Sequence, residues 1–204
     1  MSLDIQAVWR QVTPELEQEL VAFWSRHRAI ADPARAAARA RQAVCIARDA
    51  DGALCGVGTA DLRVLPRLRQ PTYYYRQFFD AAHRGAGNAI PFANRAKAIL
   101  QEYNAGLPRP ESLGMLIEVE NGMLEGHFPQ VHEPRTGYTF IGYSPRGHTL
   151  RVSWFDGAVL GPPAPPARPA RLAGQRPGPV PRRQAQPQQT QQQQQATSTT
   201  GITP

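Results

Sequence analysis

The stretch AAHRGAGNAIPFANRAKAIL, residues 81–100, places an arginine and two glycines between an aromatic run, TYYYRQFFDAA (72–82), and a segment whose apolar residues recur at helical spacing through Phe92, Ala96, Ile99 and Tyr103. Two readings of Arg84-Gly85-Ala86-Gly87-Asn88-Ala89 are open. It is either a surface turn or a row of backbone N–H groups shaped to hold phosphate. The pattern of an arginine, two residues, a glycine, one residue and a small residue is weak by itself. Its position adds weight, because a strand ends and a helix begins there. The unpaired N–H groups of a helix's first turn and the helix dipole favour an anion, and glycine lets that anion approach the backbone.

Outward from this stretch the composition divides the chain. From Gly161 onward lie 10 of the 20 prolines, 10 glutamines and no acidic residue, ending in QQTQQQQQATSTTGITP. Such a segment buries too little apolar surface to offset the entropy of ordering it. We therefore expect a folded domain at 1–160 and a disordered Pro/Gln/Arg-rich tail at 161–204. Residues 1–160 hold 18 of the 23 Lys+Arg and all 16 Asp+Glu, a net of +2, so most of the +7 net charge belongs to the tail. A folded part this close to neutrality gives no nucleic-acid footprint. No apolar run is long enough to span a bilayer and MSLDIQAVWR lacks a signal-peptide pattern, so a cytoplasmic location is expected. Pairing strands across Asp51-Gly52 sets Cys55 opposite Arg48, on the other face from Cys45, which predicts no disulfide.

The remaining elements follow from local signals. DIQAVWRQV alternates as a strand. Thr13 as N-cap with Pro14 behind it predicts a helix whose apolar face is Leu16, Leu20, Phe23 and Trp24. Asp32-Pro33 starts a second helix that runs to about Arg41. AVCIARDADGALCGVGTADL reads as two strands around Asp51-Gly52. LGMLIEVEN is a buried strand, and TGYTFIGYSPRGHTLRVSWFDGAVL a hairpin turning at Ser144 to Gly147. The order is strand, helix, helix, three strands, helix, strand, short helix, two strands. It predicts an α/β protein with a mixed sheet and helices on both faces.

This order, the hairpin RDADGALCGVG and the loop RGAGNA opening the third helix make residues 4–160 resemble the GNAT superfamily of acyl-CoA N-acyltransferases. The resemblance implies a GNAT-like fold, acetyl-CoA or another acyl-CoA as co-substrate, and a small-molecule or protein amine as acceptor. It implies that the backbone of Arg84, Gly85, Ala86, Gly87, Asn88 and Ala89 cradles the coenzyme A pyrophosphate. Phe78 and Phe79 would pair with the pantetheine amides. IEVEN resembles the strand that splays to admit the thioester, with Asn121 at the start of the next helix. Where the family commonly places a tyrosine as general acid, this chain has Phe128, and His127 and Tyr138 are the available substitutes.

Glu118 and Glu120 share one strand face, and two carboxylates so spaced suit proton abstraction from an amine, or equally a structural pairing with arginine. Five histidines and two cysteines show no metal-ligand spacing, so no metal is expected. The alternatives to an acyltransferase are a catalytically inactive acyl-CoA-binding sensor or scaffold, and an interaction protein. The latter would use GPPAPPARPARL to meet proline-recognising partners, or the tail's charge to meet acidic ones.

Overall fold

The computed structural model describes residues 3–84, 87–120 and 129–166. In chain order the elements are β1 (Asp4–Ala7), α1 (Pro14–Arg26), α2 (Pro33–Ala40), β2 (Ala43–Arg48), β3 (Leu54–Val64), β4 (Pro71–Phe79), α3 (Ala89–Ala105), β5 (Gly114–Val119), β6 (His132–Glu133), β7 (Tyr138–Tyr143) and β8 (Thr149–Trp154). All lie within one unit, Met1–Ala167.

The helices begin where their caps predict. Thr13 Oγ1 accepts from Leu16 N, and Asp32 Oδ1 accepts from Ala34 N and Arg35 N, with Pro14 and Pro33 at the first helical positions. In α3, Phe92 N donates to Asn88 O at 3.0 Å, which makes Pro91 a first-turn residue that has no N–H to leave unpaired.

The strands form one mixed sheet in the order β1-β2-β3-β4-β5-β8-β7-β6. Every neighbouring pair is antiparallel except β4–β5, which run parallel. Two antiparallel halves are thus joined by one parallel seam, and α3 is the crossover that a parallel connection requires. The seam is short, with Tyr73 opposite Met115, Tyr74 opposite Leu116 and Tyr75 opposite Ile117. Beyond it β4 stays with β3 as far as Phe79, while β5 stays with β8 as far as Val119. The β4–β5 pairing stops there, which leaves a cleft in the ladder between Arg76–Phe79 and Glu118–Val119.

Helices cover both faces. On one, Leu20, Phe23 and Trp24 of α1 and Ala36 and Ala40 of α2 pack on Ile46, Leu54 and Val57. On the other, Phe92, Ala96 and Leu100 of α3 pack on Tyr73, Tyr75, Phe79 and Met115. Tyr74 alternates onto the first face, in a smaller cluster with Leu116 and Val152.

Three sequence expectations change. β1 stops at Ala7 because the chain turns, with Gln11 N bonding Val8 O and Arg10 at φ 63°. The cysteines share a face: Asp49 Oδ1 accepts from both Asp51 N and Ala53 N, lengthening the turn, so that Leu54 rather than Cys55 lies opposite Arg48. Cys45 and Cys55 consequently both enter the α3-side core, as free thiols. The two-residue β6 was not foreseen. The short helix expected after β5 falls on 121–128, outside the described residues.

Past β8 the chain returns to the β3–β4 loop. Gln70 Nε2 donates to Gly161 O at 2.8 Å, and Arg69 exchanges two bonds with Ala164, N to O at 2.8 Å and Nε to O at 2.6 Å. Truncation after Pro166 should therefore leave the melting temperature within about 2 °C, whereas truncation after Leu160 should lower it further by removing these bonds. Equal melting curves for the two truncations would show that residues 161–166 contribute nothing.

At Gly114 the β8 backbone leaves no room for a side chain: a Cβ there would lie 2.5 Å from Ser153 O and 2.9 Å from Trp154 Cα. Backbone cannot give way as a side chain would. Gly114→Ala should cost about 1–3 kcal/mol, read as a lower denaturation midpoint; an unchanged midpoint would mean that the strands can separate freely.

Candidate active site at the β4–β5 cleft

The loop from β4 into α3 forms one rim of the cleft. Asp80 anchors it, accepting from His83 N at 3.0 Å and meeting His83 Nδ1 at 2.8 Å. Arg84 folds back, its Nε donating to Phe79 O at 2.9 Å and its guanidinium 5.1 Å from the Phe78 ring. Gly87 takes φ +71°, which glycine adopts without strain, with open space around its Cα. Asn88 does not cap α3 with its side chain; its Nδ2 donates back to His83 O at 3.2 Å. Gln77 Nε2 holds Ala89 O at 3.2 Å. The first turn of α3 carries no acidic residue, so the partial positive charge of its N–H groups is not offset locally.

Phe79 is buried against Phe92, and Phe78 rests on Phe23 at 5.6 Å. The Phe79 carbonyl, expected to serve a pantetheine amide, is already bonded by Arg84. Gly85, Ala86, Asn121 and His127, named from the sequence, lie outside the described residues.

The opposite rim carries both carboxylates of IEVEN. Glu118 Oε2 accepts from Tyr74 Oη and lies 3.0 Å from Arg146 Nη2, which also donates to Glu120 Oε1 at 2.6 Å. His148 Nδ1 is 3.3 Å from Glu118 Oε1, though not aligned for a hydrogen bond. The Glu118 side chain is 6% exposed and that of Glu120 51%. Burial raises the Glu118 pKa, but hydrogen bonds from Ser144, Tyr74 and Arg146 outweigh it and hold the carboxyl at about 2. So acidic a group takes up a proton poorly. Burial, then the bond to Glu118, pushes the Tyr74 phenol up.

Sequence period alone paired Glu118 with Glu120, but it missed Tyr74, Arg146 and His148. These arrive through tertiary pairing. The turn with Gly147 N bonded to Ser144 O returns along the end of β5, and β4 lies beside β5. A signal did exist, since Tyr74 and Glu118 fall on the same face once the strands are aligned in parallel. Tyr138, one candidate acid, is enclosed in the α3-side core with no partner for its hydroxyl among the described residues, and burial raises its pKa.

Although the sequence shows no ligand spacing, the fold gathers Glu118, Glu120 and His148 so that one ligand atom from each lies within 4.8 Å of the others. Arg146 already supplies positive charge between the two carboxylates.

No protein-family model and no curated protein matches this sequence. Solved structures do match in fold. A GNAT-family acetyltransferase from Streptococcus pneumoniae superposes with a TM-score of 0.52 at 14% identity, over 76% of this chain and 99% of that one. A GNAT superfamily phosphinothricin acetyltransferase from Sinorhizobium meliloti, in complex with AcCoA, gives 0.54 at 12% identity, over 80% and 94%. The chain has the fold of the GNAT acetyltransferases.

Because the Glu118 pKa lies below its ordinary 4.5, the stability it contributes is complete above about pH 4.5 and is lost as pH falls towards 2. Glu118→Gln should therefore melt lower than the parent at pH 7, and the gap should close on acidification. A gap of the same size at pH 7 and pH 3 would show that the ionised carboxylate is not what holds Tyr74 and Arg146.

Proposed function

We propose that this protein is a GNAT-type N-acyltransferase that moves an acetyl or other acyl group from coenzyme A to an amine. The observation that carries the reading is the cleft where β4 and β5 part, with an uncapped helix N-terminus on one rim and a carboxylate cluster on the other. A thioester entering the cleft would meet strand backbone that has no neighbouring strand, and a pyrophosphate would meet the N–H groups beyond Arg84 as far as Ala89, the Arg84 N–H being already bonded to Asp80 O at 3.1 Å. The similar fold solved with AcCoA supports the same reading.

In the reaction the neutral amine attacks the thioester carbonyl, the C–N bond forms and the C–S bond breaks. The amine's proton must leave and the thiolate must gain one. Glu120, half exposed, and His148 are the proton acceptors with access to water. Glu118 is the weaker base and positions Tyr74 and Arg146. His127 is the proposed donor to the thiolate. Among the described residues no helix is long and apolar enough to cross a membrane, in keeping with a cytoplasmic enzyme. A second reading, an acyl-CoA-binding sensor that does not turn over, is favoured by Phe128 at the usual tyrosine position; coenzyme release in the presence of acceptor separates the two.

Acetyl-CoA at a hundred times its dissociation constant should stabilise the fold by about 2.7 kcal/mol, a shift of several degrees. Gly87→Glu, which sets bulk and negative charge against the phosphates, should abolish the shift while circular dichroism remains native. The reading fails if saturating acetyl-CoA and longer acyl-CoAs leave the unmodified chain's melting curve in place.

A further inference from the structure

Beside the cleft, on the face that α1 and α2 cover, the sheet carries an excess of positive charge that the steps above leave unused. In the β3–β4 register Thr59 is opposite Arg76, Asp61 opposite Tyr74 and Arg63 opposite Thr72. Alternation sends these side chains to one face. Arg63 and Arg76 both stack on the Tyr74 ring, at 4.2 and 4.6 Å, and Arg39 reaches down from α2 to place Nη1 3.4 Å from Thr59 Oγ1. Three guanidinium groups therefore surround Thr59, Asp61 and Tyr74, against two carboxylates, Asp61, which is ion-paired with Arg63, and Glu118, which accepts from the Tyr74 hydroxyl.

Neither Arg39 nor Arg76 has a carboxylate within ion-pair distance among the described residues, which include every acidic residue of the chain except Glu125. The Arg76 Nε is buried without a hydrogen-bond partner. Burial, then repulsion from Arg76, lowers the Arg39 pKa; Asp61 opposes this, and Arg35 and Arg63 add to it. Stacking on Tyr74 fixes the planes of Arg63 and Arg76. The forked edge of such a guanidinium suits the two oxygens of a carboxylate or a phosphate.

Position makes this arrangement useful. Arg76 is the first β4 residue beyond the last β4–β5 pair, and Glu118 is the first on β5. The unpaired arginine and the carboxylate cluster stand on facing rims of one cleft. We infer that the acceptor is a small amine that also carries an oxyanion, a carboxylate or phosphate group, with the anion held by Arg39 and Arg76 and the amine presented at the cleft. This rests on the acyltransferase reading for the reaction, but not for the anion site. A polyamine or other wholly cationic acceptor would meet repulsion there.

The test uses the full chain with saturating acetyl-CoA and follows thiol release with L-glutamate, O-phosphoethanolamine, tyramine and putrescine as acceptors. The acid-bearing amines should be preferred, and which of the two leads distinguishes carboxylate from phosphate. Arg76→Gln and Arg39→Gln should each raise KM for the acidic acceptor by about tenfold to a hundredfold, leave the acetyl-CoA thermal shift unchanged, and alter tyramine kinetics little. Succinate or inorganic phosphate should raise the melting temperature of the CoA-bound chain above a sodium chloride control of equal ionic strength, and not that of Arg76→Gln. A preference for putrescine, or variants that affect every acceptor alike, overturns the inference, as does the absence of any anion-specific shift. Loss of the acetyl-CoA shift with a retained anion shift would instead remove the acyltransferase reading and leave the anion site standing.

Discussion

The organisation of this protein depends on a parallel seam three residue pairs long. Strands that run antiparallel can be connected by tight turns and extended to their ends, as β2–β3 and β7–β8 are. A parallel pair needs a crossover, here α3, and nothing obliges its strands to stay together past the point where their other neighbours draw them apart. Because β4 follows β3 and β5 follows β8, twist in the two halves opens the sheet. The backbone along the parting has no strand partner on that side, although the Phe79 carbonyl is taken by Arg84 Nε, and backbone without a strand partner can bond a ligand. The crossover helix starts at the same end of the sheet, so its N-terminus faces the opening for topological reasons, before any side chain is chosen.

Electrostatics then differentiate the rims. On β5 a nearly buried carboxylate is held through one oxygen, Oε2, by Tyr74 and Arg146, so its charge is spent on holding geometry. On β4 Arg76 has stacking and, among the described residues, no counter-ion. Tyr74 links the two, bonding Glu118 through its hydroxyl and supporting two guanidinium groups on its ring. Loss of that one side chain would release both the carboxylate and the arginines.

Much of this was legible from local chemistry. Thr13-Pro14 and Asp32-Pro33 announce α1 and α2, and Pro91 requires α3 to start near Asn88, because each signal acts within one turn of the backbone. The β2–β3 hairpin and the register of Cys45, Ile46 and Ala47 were legible, but not the bulge between Ala47 and Arg48 that puts Leu54 opposite Arg48, beside a turn in which the Asp49 carboxylate captures two backbone N–H groups. At the site, period two revealed that Glu118 and Glu120 share a face. Their partners Tyr74, Arg146 and His148 come from sequence separations of 26 to 44 residues, and no local pattern encodes them. The arginines of α2, β3 and β4 are a similar case: in an arginine-rich chain they are unremarkable until three elements bring them together.

The seam also bears on how the molecule reaches its folded state. The contacts of β2, β3 and β4 with one another are close in sequence, as are those of β7 and β8, and such pairings close small loops. Tyr73–Tyr75 must instead find Met115–Ile117 across the whole of α3, 42 residues on (117 − 75), whereas β5–β8 first closes over 30 (149 − 119), so this junction carries more loop-closure entropy than either neighbouring pair, β3–β4 or β5–β8. If the two halves form first and this narrow join last, its amides would exchange faster than those of the flanking strands, although they lie at the sheet's centre, where exchange would ordinarily be slowest. The region proposed to admit a ligand is thereby also the one whose opening disturbs neither half.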